Sequence, residues 1–184
     1  LFVSYTLLIE YEDKFYYDRH SQQAWIIMTN YGDTLKQRIK ANGPISDENK
    51  VKEIAWDLLD KLWIIHNSGF VYCDIKPSNI VKREYDEKEE DESGDVIDGW
   101  KLIDFELIQK INTRKSYIGT FGWTAPEIKY DAFWNKYKPS SDIFSFGLII
   151  LYILCGEQPL EEDGEKRYKY LKDLGAKDLS LIHI

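Results

Sequence analysis

Asp74, Lys76 and Asn79 fall within one short stretch behind the apolar pair Phe70-Val71, and Asp104 follows a second apolar run, Leu102-Ile103. Together they supply an acid that can take a hydroxyl proton and a lysine that can offset phosphate charge. They also supply an amide and a carboxylate oxygen for a hard divalent cation. Phosphoryl transfer asks for little more from a protein than such positioning and charge neutralisation. Alone, Asp74 and Asn79 could serve an ordinary turn by local hydrogen bonding. Against that stands their company, because Asp104-Phe105 and Ala125-Pro126-Glu127 follow in order. Three short motifs in sequence carry weight that each lacks singly. Zinc chemistry has no support, since the two cysteines are remote and the three histidines scattered.

Positioning these residues requires short strands around the loop and helices beneath it. Residues 2–11 and 24–31 are rich in β-branched and aromatic side chains and read as two strands, connected through the charges Glu12 to Lys14 and the polar stretch Asp18 to Gln23. Thr34 to Ala41 predicts a short helix stopped at Gly43-Pro44. A long helix follows, with Ile45 and Ser46 as staple and cap, and Val51, Ile54, Ala55, Leu58, Leu59 and Leu62 at helical spacing. Gly69 ends it. Phe70-Val71 and Ile80-Val81-Lys82 read as strands on either side of Asp74, and Trp100 to Ile103 as the returning strand. Pro139-Ser140-Ser141 caps an apolar helix from Asp142 to Leu154, and residues 161–178 are charged and partly helical. His66, at the end of the long helix, reads as a satisfied packing histidine.

The net charge of −8 is local. Between Glu84 and Asp98 stand nine acids and one lysine, and the remainder is neutral, so nothing predicts nucleic-acid binding. Residues 83–99 read as a solvated acidic insertion with too little apolar area to order itself. Two cysteines, Cys73 and Cys155, make no disulfide framework and suit a reducing, intracellular and cytoplasmic setting. The apolar run Ile143 to Cys155 is shorter than the ~20 residues a bilayer takes and reads as a buried core helix.

The string Tyr72-Cys73-Asp74-Ile75-Lys76-Pro77-Ser78-Asn79, with Asp104-Phe105-Glu106, Gly119-Thr120 and Ala125-Pro126-Glu127, resembles a eukaryotic-type protein kinase of the serine/threonine branch. The resemblance covers most of the chain. It implies an α+β, protein kinase-like fold, with small-lobe strands over 1–31 and a mainly helical large lobe over 32–178. Two departures stand out: Tyr72-Cys73 where the family has His-Arg, and Glu106 where it has glycine. Both ends look truncated, and the final six residues, 179–184, resemble a translated sequencing adapter.

By that resemblance, ATP and Mg2+ are the cofactors and a protein serine or threonine hydroxyl is the acceptor. Asp74 would be the catalytic acid–base residue, with Lys76 on the transferred phosphoryl and Thr120 bonding both. Asn79 and Asp104 would hold the metal. Met28, Thr29 and Tyr31 would form the hinge against adenine, with Val81 beneath it. Asp142 resembles the helix acid that ties down the loop backbone, and Glu127 an acid whose arginine partner lies beyond residue 184. Cys73 removes the usual arginine partner of a phosphate on Thr113, Ser116 or Tyr117. The glycine-rich loop, strand lysine and helix glutamate are not among these residues, so the expectation is that residues 1–184 alone have no measurable activity. A pseudokinase, favoured by Tyr72, Cys73 and Glu106, is the alternative. A small-molecule kinase is opposed by Thr120 and the full Ala-Pro-Glu. Substrate and oligomeric state are not written in the sequence.

Overall fold

The computed structural model describes residues 11–28, 31–82, 99–114, 118–130 and 136–158. All but the last residue of the strand expected over 2–11, together with Thr29, the acidic insertion to residue 98, Ser116, Tyr117, the charged stretch 161–178 and the last six residues, lie outside them.

β1 (Tyr11–Asp18) and β2 (Gln23–Met28) form an antiparallel hairpin, with Phe15 opposite Ile26 and Asp18 opposite Gln23. Asp18 closes the turn, its carboxylate accepting the His20 N–H at 2.9 Å and the Ser21 hydroxyl at 2.7 Å. Glu12 to Lys14 therefore belong to the strand, not to the connection the sequence suggested. The turn chemistry that ends the strand sits at Asp18, not at the charges before it.

α1 (Leu35–Asn42) opens with a full capping box: the Gln37 N–H donates to the Thr34 hydroxyl, and the Gln37 side chain accepts the Thr34 N–H at 2.8 Å. α2 (Glu48–Asn67) is capped by Asp47, whose carboxylate accepts the Asn49 N–H at 2.9 Å. Ser46, the expected cap, stands one residue too early. Asp47 offers a stronger charged acceptor to the same positive helix end. α4 (Pro139–Cys155) begins three residues before the expected start, with Pro139 in the first turn. There its missing N–H costs nothing.

The core lies between these helices. Ile54, Leu58, Leu62 and Ile65 of α2 pack with Leu148, Ile149, Tyr152 and Ile153 of α4, and with Tyr72, Ile75, Ile80 and Leu102. α4 is not buried all round, because Ile143, Leu151 and Leu154 face outward. Among the described residues no helix is long and apolar enough to cross a membrane.

Two small antiparallel pairs frame the loop. β3 (Phe70–Val71) pairs with β6 (Gln109–Lys110), and β4 (Ile80–Lys82) with β5 (Trp100–Leu102). β6 and the short α3 (Pro126–Tyr130) have too few residues for a periodic signal, and the sequence did not announce them.

Candidate active site

The loop from Tyr72 to Asn79 leaves β3 and re-enters the fold through a 3₁₀ turn, Pro77–Asn79. Cys73 sits at φ +71, a left-handed conformation rare outside glycine. What holds it there is Asp142, 1% exposed, in the first turn of α4. Its carboxylate accepts the Tyr72 N–H at 2.8 Å, the Cys73 N–H at 2.9 Å and a bond from His66 Nε2 at 2.8 Å. Successive amides aimed at one carboxylate turn the chain, and the next side chain, Asp74, points back into the site.

Asp74 is 4% exposed, and three donors orient it. Thr120 donates its hydroxyl to Oδ1 at 2.6 Å, while Lys76 Nζ and Asn79 Nδ2 donate to Oδ2 at 2.6 and 3.0 Å. Lys76 Nζ also donates to Thr120 Oγ1 at 3.0 Å, closing a ring of acid, cation and hydroxyl. A carboxylate has about four lone-pair sites, so one remains for a further hydroxyl. Gly119 makes the approach of Thr120 possible: at φ +119, a Cβ there would lie 2.9 Å from the Cys73 carbonyl oxygen.

Asp104 reaches the same place from the other hairpin. Pairing of Ile80 with Leu102 sets residue 79 beside 103, and the Ile103 N–H donates to the Asn79 carbonyl at 3.0 Å. Asp104, at φ +66, follows directly and is exposed. Buried Tyr72 lies between the two halves. Its hydroxyl donates to the Ile103 carbonyl, and its ring meets Phe105 edge-on at 5.4 Å. Burial pushes the Tyr72 phenol well above its ordinary value, and the negative charges of Asp74, Asp104 and Asp142 add to the effect.

Among the described residues no three His, Cys, Asp or Glu side chains form a metal cluster. Asn79 and Asp104 offer oxygens only. Asn79 Nδ2 is held by the Asp74 carbonyl at 3.1 Å as well as by its carboxylate. Two protein oxygens suit a magnesium ion that keeps waters and takes phosphate oxygens for the rest. They would not make a closed cage for a structural metal.

Tyr31 packs with Val81, Ile103 and Phe105. The Tyr31 side chain is turned into this cluster, 5% exposed, with Lys101 Nζ 5.5 Å from its ring centroid. Met28 ends β2, and Thr29 lies outside the described residues. Glu127 accepts the Ser141 hydroxyl at 3.3 Å.

Residues 4–179 match the protein kinase domain family. The chain belongs to that family. Serine/threonine-protein kinase PknA of Nostoc is 33% identical over 78% of this chain, and the match spans 24% of the relative's length. The probable serine/threonine-protein kinase fhkA of Dictyostelium discoideum is 26% identical over 90% of the chain and 30% of its own length. Human serine/threonine-protein kinase D2 is 27% identical over 77% of the chain and 15% of its own length. The kinase domain here thus spans under a third of each of these relatives.

Within this kinase domain, the resemblance singled out Asp142 and its tie to the loop backbone, which the Tyr72 and Cys73 amides make, but not its third partner. His66 is satisfied, as its position suggested, and its partner is Asp142 itself. Tyr137 was overlooked altogether. It is 2% exposed and packs with Val71, Ala125 and Ile128, and no local pattern distinguishes it from the chain's other tyrosines.

Proposed function

We propose that this chain is the greater part of the catalytic domain of an ATP- and magnesium-dependent serine/threonine protein kinase. Residues 1–31 would come from the small lobe and 32–178 from the large one. The observation that carries the reading is the Asp74–Lys76–Thr120 ring, with Asn79 bonded to the same acid and Asp104 set beside it by β-pairing.

Asp74 takes the proton of the acceptor hydroxyl as its oxygen bonds to the γ-phosphorus and the bond to the ADP oxygen breaks. Three donors fix the carboxylate before substrate arrives, so little reorganisation is needed during transfer. Lys76 sits where its charge can follow the equatorial phosphoryl oxygens. Thr120 lines the acceptor side, where a serine or threonine hydroxyl must approach Asp74. Asn79 Oδ1 and Asp104 would hold magnesium, which when bound neutralises charge on the β- and γ-phosphates. Met28, Thr29 and Tyr31 would offer hinge backbone to adenine, with Val81 below. Cys73 and Cys155 are not joined in a disulfide, which would suit a cytoplasmic setting.

The test is magnesium-dependent phosphorylation of protein serine or threonine by the complete kinase. Asp74→Asn should lower kcat by about 10²–10⁴-fold, the range for a lost general base. An Asp74→Asn enzyme as active as wild type, or a wild type that binds ATP without turnover, would sink the catalytic reading and leave the pseudokinase.

A further inference from the structure

Tyr137 ties the stretch beginning at Asn112 to the stretch that delivers Thr120. Its backbone forms one tie: the Tyr137 carbonyl accepts the Asn112 N–H at 2.8 Å, and the Tyr137 N–H donates to the Thr113 carbonyl at 3.2 Å. The neighbouring residues Arg114 and Lys136 pair as an isolated β-bridge. Its side chain forms the other. The Tyr137 hydroxyl accepts the Ile118 N–H at 2.7 Å and donates to the Ile118 carbonyl at 3.3 Å, so one phenol satisfies both polar groups of one residue.

We infer that the Tyr137 hydroxyl is a positioning group for the acceptor side of the site: it sets the place of Thr120 relative to Asp74 and Lys76. This rests on the kinase reading above. Ile118 lies two residues before Thr120, and the intervening Gly119 is the position with the least steric guidance of its own. At φ +119, and against the Cys73 carbonyl, only glycine fits there. A glycine hinge needs an outside anchor on each side. Beyond it, the Thr124 hydroxyl donates to the Thr120 carbonyl at 2.9 Å. Before it, the anchor is the Tyr137 phenol. The ring that carries this hydroxyl is wedged among Val71, Ala125 and Ile128. Val71 leads into the catalytic loop and Ala125 opens Ala-Pro-Glu, so the anchor is fixed to the parts it must align. Five residues on, Asp142 holds the other side of the same site by its bonds to Tyr72 and Cys73. The segment entering α4 thereby sets both Asp74 and Thr120.

Tyr137→Phe keeps the buried ring and removes only the hydroxyl. In the complete kinase, amide exchange across residues 118–122 should then quicken at least tenfold while α2 exchanges as before. Unchanged exchange at 118–122, or a wild-type Ile118 amide that exchanges as fast as an exposed loop, overturns the inference whether or not the enzyme turns over. For the kinetic arm, Tyr137→Phe should lower kcat about tenfold with KM for ATP within about twofold, and Tyr137→Phe with Thr120→Ala should be no slower than Thr120→Ala alone. Losses that multiply in the double variant would mean that Tyr137 does not act through Thr120, and the inference falls. Exchange that responds as stated in an enzyme without turnover would support the positioning role and defeat the kinase reading.

Discussion

At the scale of residues, the clustering of Asp74, Lys76 and Asn79 was legible because the three are close in sequence and belong to an ordered run of motifs. Asp74, Lys76 and Asn79 are neighbours in the chain, and the structure bonds all three together. Thr120 joins them across a long separation, and only the resemblance pointed to it. Thr120→Ala should lower kcat about tenfold or more, and Thr120→Ser should recover most of it, because the bridge needs only a hydroxyl between Asp74 and Lys76; equal losses in both variants would show that the methyl matters instead. Glu106 is less disturbing than its place in the motif suggests. The residue at positive φ is Asp104, not Glu106, and the Glu106 N–H points to Asp104 Oδ1 at 3.4 Å. A glutamate is therefore unstrained in this conformation. Glu106→Gly should leave KM for ATP within about threefold and, through added freedom of the unfolded chain, lower stability by ~0.5–1 kcal/mol in a denaturant titration.

At the scale of elements, helical periodicity gave the cores of α1, α2 and α4 but not their starts. Periodicity reports which face is buried, whereas a helix start depends on which side chain reaches a free N–H. Ser46 and Asp47 both satisfy the compositional rule, and only geometry separates them. Asp47→Ala should cost ~0.5–2 kcal/mol in thermal or chemical unfolding, and Ser46→Ala close to nothing; the reverse order would restore Ser46 as the cap. Further along α2, burial raises the carboxyl of Asp57 above its ordinary value despite the Trp100 N–H that it accepts at 2.8 Å. The sign follows from linkage. With the folded value above the unfolded one, the native state binds more protons between them, so stability falls as pH rises through that window. Asp57→Asn should abolish this decline above the usual carboxylate range, as followed by Tm against pH. A variant that keeps the wild-type slope would assign it to another group.

At the scale of the whole molecule, one buried carboxylate joins the helical core to the catalytic loop. α2 brings His66, α4 brings Asp142, and β3 hands over Tyr72 and Cys73, residues about seventy positions from Asp142. No window of sequence contains that junction; the resemblance supplied Asp142 and its tie to the loop backbone, and nothing in the sequence added His66. The bonds also hold Cys73 at φ +71, a conformation that a non-glycine residue adopts at a cost of roughly 1–2 kcal/mol. Asp142→Ala should remove the acceptor of the buried Tyr72 N–H, at ~1–3 kcal/mol, and that of the half-buried Cys73 N–H, and let residue 73 relax toward negative φ, swinging Asp74 away from Thr120. The loss of kcat should then exceed what residual folding explains at a temperature well below the variant's Tm. Glycine at 73 separates the two contributions. It occupies positive φ without strain, so Cys73→Gly added to Asp142→Ala should recover part of kcat while recovering little Tm, since the orphaned amides remain. If the second substitution restores nothing, or costs more activity, then Asp142 acts on the site by packing alone and the strained turn is not what aims Asp74.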